Sequence, residues 1–192
     1  MTAAVVTSAG PKDYIARPGS LVVRFIFFIS SGSDVASQRD LLEGIVREAS
    51  IQFRLREDAD RPFVLEVDRW EQDAPRRTND MNEEFVRRAK AAHATVVLLA
   101  TEVRAGTREE IEAVLGEDDV QLSVIWMESP SSQRKSRTLK KFLREHSDKI
   151  AYHRTGSPDT NEAILAMTRV VLAALADITR GERREELFSE HR

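Results

Sequence analysis

The chain has 192 residues, a formal net charge of −3, 32% charged residues and no cysteine. This length suits one domain with a core large enough to fold without disulfides or metals, and a surface of mixed charge argues against a nucleic-acid-binding protein. The absence of cysteine and of a secretory signal predicts a reduced, cytoplasmic setting, and the longest apolar run, 21–29, is far shorter than the roughly 20 residues that span a membrane.

Residues 1–20 contain small residues and the pairs Gly10-Pro11 and Pro18-Gly19, which predict a flexible N-terminal leader. Apolar runs then alternate with patterns of helical periodicity along the chain. The predicted strands are 21–29, 62–68, 95–100, 121–126 and 149–153, and the predicted helices are 35–49, 80–92, 107–115, 133–146 and 159–179.

Five successive β-α units predict a three-layer α/β fold, with a parallel sheet covered by helices on both faces. Five strands favour the flavodoxin-like order 2-1-3-4-5. We expect one domain over 21–180, followed by a charged C-terminal tail over 181–192.

The first strand ends in Ser30, Ser31 and Gly32, and Asp34 is placed to cap the helix that follows. Such a turn leaves backbone N–H groups directed into a crevice at the carboxyl edge of the sheet, where ligands bind in open α/β folds. The sequence therefore predicts the start of a nucleotide site.

The third strand leads through Thr107 into a helix whose first turns contain Glu109, Glu110 and Glu112. In the order 2-1-3-4-5 this strand neighbours the first, so a carboxylate is expected beside the serine-rich turn. Acidic residues in a first helical turn are also favoured by the helix dipole alone, and that explanation covers at least one of the three.

Three motifs in order carry a resemblance to a family. Residues 28–40 resemble the opening of a bacterial TIR-like family of uncharacterised domains, in which a FISS strand end leads to D-V-x-x-x-R. Residues 67–71 resemble the R-W-E motif of that family, and residues 106–110 resemble its G-T-x-E-E motif. The resemblance covers roughly 21–180. The chain departs from the family pattern in its short connection between the third strand and the Gly-Thr turn.

The resemblance implies a fold shared with TIR domains and nucleoside 2-deoxyribosyltransferases, which act on N-glycosidic bonds through a glutamate. At the matching positions, Glu110 is the expected catalytic residue and Glu109 its rival. From the second loop, Trp70 is expected to stack on a base and Arg69 to pair with a phosphate; the alternative is a surface loop with the tryptophan packed beneath it. The expected ligand-binding residues are Ser30, Ser31, Gly32, Asp34, Arg69, Trp70 and Thr107.

Two functions from different classes follow. One is an NAD-type glycohydrolase, an effector of bacterial antiviral defence that assembles as a homo-oligomer or with a companion defence protein. The other is a non-catalytic TIR-like signalling module that self-associates or binds a nucleotide. NAD or a related nucleotide is expected as substrate or ligand and no cofactor is expected, while the four histidines have no metal-site spacing.

Overall fold

The computed structural model describes residues 6–7, 13–17, 20–54, 63–68, 81–100, 103–117, 120–127, 136–148, 150–156 and 160–189. In this part of the chain seven strands form one sheet. The strands are β1 (Val6–Thr7), β2 (Asp13–Arg17), β3 (Ser20–Ser31), β4 (Phe63–Asp68), β5 (Ala94–Leu99), β6 (Gln121–Met127) and β7 (Ala151–Thr155). The helices are α1 (Ala36–Arg54), α2 (Met81–Ala91), α3 (Ala105–Val114), α4 (Ser136–Glu145) and α5 (Asn161–Ser189), and a 3-10 turn, Ser33–Val35, precedes α1.

The centre of the fold is a five-stranded parallel sheet in the order β4-β3-β5-β6-β7. Counted from β3, this is the order 2-1-3-4-5, and the predicted flavodoxin-like architecture is confirmed. Because β3 lies between β4 and β5, Phe28 is opposite both Asp68 and Thr95. The carboxyl ends of these three strands therefore meet at one edge of the sheet.

The structure places two strands, β1 and β2, within residues 1–20, where the sequence predicts a flexible leader. Strand β2 pairs antiparallel with the beginning of β3, from Tyr14 opposite Val23 to Arg17 opposite Ser20. Strand β4 occupies the other edge of β3 at Val23, so β2 is on the edge that β5 takes up from Phe27 onward. The long β3 leaves backbone groups to be paired there, a tertiary requirement that local composition does not reveal.

Apolar residues fill both faces of the sheet, because alternate side chains of a strand point to opposite sides. Phe27 and Ile29 pack with α1 and α5, whereas Phe28 lies in the second core, against α2, α3 and α4. Near-continuous apolar strands are typical of a sheet buried on both sides.

Helix α5 continues to Ser189, ten residues past its predicted end. Residues 180–189 are rich in arginine and glutamate, which are good helix formers, so local propensity extends the helix through the expected tail. Among the helices that the structure describes, none combines the length and the apolar character needed to cross a membrane.

Candidate functional site

Two serines at the end of β3 contact buried ionisable residues on opposite sides of the sheet. Ser30 Oγ donates a hydrogen bond to Glu110 Oε2, and Nη1 of Arg39 donates a hydrogen bond to Ser31 Oγ at 3.1 Å. The alternation of side chains along a strand directs Ser30 toward α3 and Ser31 toward α1. The strand end thus lies between a carboxyl group and a guanidinium group.

Helix α3 places Glu110 against the sheet because of its position in the helical repeat. Arg104 is the N-cap residue, and the buried face of the helix recurs at the spacing expected for one side of an α-helix. Glu110 is 9% exposed, whereas Glu109 and Glu112 are exposed. Of the two candidates from the sequence, Glu110 contacts the serine turn and Glu109 faces outward. The buried residues of α3 are Thr107, Glu110, Ile111 and Val114.

The environment of Glu110 raises the pKa of its carboxyl group to about 7. Burial is the main cause, because it disfavours the charged form, and the negative charge of Glu109 acts in the same direction. The hydrogen bond from Ser30 opposes them and lowers this pKa, because it stabilises the carboxylate. At neutral pH Glu110 is therefore present in both protonation states, a condition that is unusual for a glutamate and more frequent at functional sites than elsewhere.

Arg39 is the arginine of the D-V-x-x-x-R motif, but the sequence analysis did not name it among the expected site residues. Its side chain is only 2% exposed, and it lies on the inward face of α1 together with Leu42 and Val46. The signal was present in the sequence, since residues 39, 42 and 46 share one face of a helix. The guanidinium group of Arg39 thus places a positive charge beneath Ser31.

Gly32 occupies the N-cap position of the turn before α1, without a side-chain capping hydrogen bond. Asp34, which was expected at the cap, is instead the second residue of the turn, where the helix dipole favours an acid. A Cβ atom on Gly32 would clash with the Asp34 carboxylate unless that side chain moved, and it would lie 3.6 Å from Arg104 Nε. Arg104, which the sequence analysis also missed as a site residue, therefore brings a second cation to this edge of the sheet.

The other predicted site residues are only partly accounted for. Thr107 is buried on the same face of α3 as Glu110. Arg69 and Trp70 lie outside the described residues, and their roles stay predictions. Among the residues that the structure describes, no group of three or more histidine, aspartate or glutamate side chains is placed to hold a metal ion.

This arrangement suits the stabilisation of a positive charge on a bound molecule. A desolvated carboxylate interacts more strongly with a developing cation than a solvated one does, because water no longer screens it. Arg39, on the other side of the sheet from Glu110, and Arg104, beside Gly32, supply positive charge near the serine turn, where an anionic group of the same molecule would be favoured.

No family model matches the sequence, and no curated protein is similar to it. Among solved structures, the chain is similar to the flavodoxin-like domain of a Synechococcus protein, with 10% sequence identity and a TM-score of 0.45 over 80% of this chain and 99% of that one.

Proposed function

We propose that this chain hydrolyses the N-glycosidic bond of an NAD-type nucleotide, with Glu110 as the catalytic carboxylate. The observation that carries the proposal is the hydrogen bond between Ser30 and Glu110. It joins the end of β3 to α3 at the edge of the sheet where ligands bind in open α/β folds. The TIR-like motifs at residues 28–40 and 106–110 support the same assignment.

A single carboxylate is enough for this reaction, because nicotinamide leaves without being protonated. Nicotinamide is attached to ribose through a pyridinium nitrogen, so the electron pair of the breaking C1′–N bond neutralises the ring and no acid has to protonate it. The ribose becomes a cation of oxocarbenium type, which ionised Glu110 stabilises or traps covalently. Water then adds to C1′, and the products are nicotinamide, a nucleotide with an anomeric hydroxyl and one proton.

The charged groups around the turn support a substrate that carries phosphates. Arg104 is exposed beside Gly32 and can contact a phosphate directly, whereas the buried Arg39 acts through Ser31 as a positioning residue. In this proposal Arg69 pairs with phosphate and Trp70 stacks on the base, as the family resemblance implies. We further propose that the activity serves bacterial antiviral defence in the cytoplasm, after self-assembly or assembly with a companion protein.

The test is the release of nicotinamide from NAD by the purified full chain at high concentration. Glu110→Gln is expected to reduce turnover by roughly 100-fold or more, because the amide cannot carry the negative charge. Glu112→Gln is the matched control, since Glu112 is an exposed acid on the same helix, and it should retain activity. Unchanged turnover in the Glu110 variant would contradict the assignment.

Thermal unfolding at two pH values checks that Glu110→Gln folds. Below about pH 4.5 the glutamate is protonated in both the folded and the unfolded chain, and between 4.5 and 7 only the unfolded chain ionises it. The wild type therefore loses stability as the pH rises through this interval. The glutamine variant avoids that loss. Its free energy of unfolding should therefore equal that of the wild type at pH 4 and exceed it at pH 8 by up to about 3 kcal/mol.

A non-catalytic interaction module is the second candidate function. The observation that favours it is an exposed apolar groove between α1 and α5, to which Leu41, Gly44 and Leu172 contribute. If the concentrated wild type releases no base from NAD, NADP or a nucleoside, this function replaces the hydrolase.

A further inference from the structure

A groove on the face of the molecule opposite α3 has the shape of a docking site. It lies between α1 and α5, has a volume of about 560 Å³, and is lined by Leu41, Gly44, Val171 and Leu172 among others. Leu41 is 38% exposed and Leu172 is 53% exposed, although both belong to helices that cover the core. These two leucines give the groove apolar walls that a bound partner could cover.

The second observation is that a glycine, Gly44, lies inside α1 at a position where packing within the chain does not require one. A glycine inside a helix lowers helix stability, and it is usually kept where another group needs close approach. A Cβ atom on Gly44 would meet no other atom of the described chain within 4 Å. Gly44 lines the groove, so at this position no side chain separates the backbone of α1 from a molecule bound there.

The charges along the groove indicate the chemistry of the partner. Among the described residues that line the groove, the charged ones are two acids of α1, Asp40 and Glu48. A second copy placed groove to groove would bring acids against acids, which disfavours a symmetric dimer through this face. Basic residues on the partner would instead complement these acids.

We propose that the α1/α5 groove binds an amphipathic helix with basic flanks that belongs to another protein. The apolar face of that helix would lie on Leu41 and Leu172, its backbone would approach α1 at Gly44, and its cations would face Asp40 and Glu48. The lining residues of α1 run from 40 to 52, about 18 Å of helix, which matches some three turns of a partner helix. The proposal is independent of the role of Glu110.

Two synthetic peptides of 18 residues test the proposal against the full chain. Both carry the same leucine and alanine face, and their flanks are lysines in one and glutamates in the other. In fluorescence anisotropy the lysine peptide should bind at least about tenfold more tightly at low salt. The double variant Asp40→Lys, Glu48→Lys should reverse the preference. Equal affinity for the two peptides, or binding of neither, overturns the proposal.

Variants of Gly44 separate docking from folding. Gly44→Ala should raise the unfolding temperature and weaken binding of the lysine peptide, and Gly44→Leu should abolish binding, because the added side chains occupy the groove. Ile51→Ala is the control, since Ile51 is an exposed apolar residue of α1 outside the groove lining, and it should bind normally. Unchanged binding by Gly44→Leu overturns the proposal, as does wild-type self-association in sedimentation that this substitution removes.

Discussion

At the scale of single residues, the proposed activity depends on how the surroundings of Glu110 set its protonation. Three influences act on one carboxyl group: burial and Glu109 raise its pKa, and the Ser30 hydroxyl lowers it. Because the ionised form is the one that stabilises a ribosyl cation, each influence should be visible in the dependence of rate on pH. Hydrolysis by the wild type is expected to rise with pH, with a midpoint near 7.

Two substitutions should move that midpoint in opposite directions. Glu109→Gln removes a repelling charge, so the pKa of Glu110 falls and the rate rises at lower pH. Ser30→Ala removes a donor to the carboxylate, so this pKa rises and the rate reaches its plateau at higher pH. The measurement is nicotinamide release from pH 5 to 9. Parallel shifts, or a profile that neither substitution moves, would show that Glu110 does not control the rate.

At the scale of elements, the connection between α2 and β5 illustrates how the sheet is held in register. His93 lies just before β5 and is buried. The imidazole Nδ1 atom of His93 accepts a hydrogen bond from the backbone N–H of Ile26 at 3.0 Å. The backbone N–H of His93 donates to the Ile26 carbonyl, also at 3.0 Å. Its carbonyl accepts from the Gln121 N–H at 3.2 Å, so one residue joins β3, β5 and β6.

Replacement of this imidazole should destabilise the fold. His93→Phe keeps a ring but removes the acceptor for the Ile26 N–H, and the free energy of unfolding is expected to fall by about 1–3 kcal/mol. Urea unfolding measures the change. His153→Phe, on the edge strand β7, is the comparison and should change stability by less than about 0.5 kcal/mol. A similar loss in both variants would mean that ring size, not the hydrogen bond, determines the effect.

At the scale of the whole molecule, the N-terminal strands belong to the domain. Strand β2 pairs along four residues of β3 on an edge that β5 does not reach. Its removal would leave that part of β3 as an unpaired edge, which favours association with other chains.

Deletion of residues 1–18 is therefore expected to lower the free energy of unfolding by on the order of 2 kcal/mol and to promote aggregation. Urea unfolding and light scattering measure these two effects. Deletion of residues 1–4, ahead of β1, serves as the control and should change neither. If the chain without residues 1–18 is stable and monomeric, this segment is a loose leader as the sequence predicts, and it does not belong to the domain.

The sequence by itself determined the five β-α units, their parallel order and the position of the serine-rich turn beside the third β-α unit. These features follow from apolar periodicity and from the rule that neighbouring parallel strands end at one edge. Only the tertiary structure decided that Glu110 faces Ser30 while Glu109 points outward, that Arg39 lies beneath Ser31, and that β2 extends the sheet. Each of these depends on contacts between distant residues, since burial and pairing are properties of the assembled layers and not of local composition.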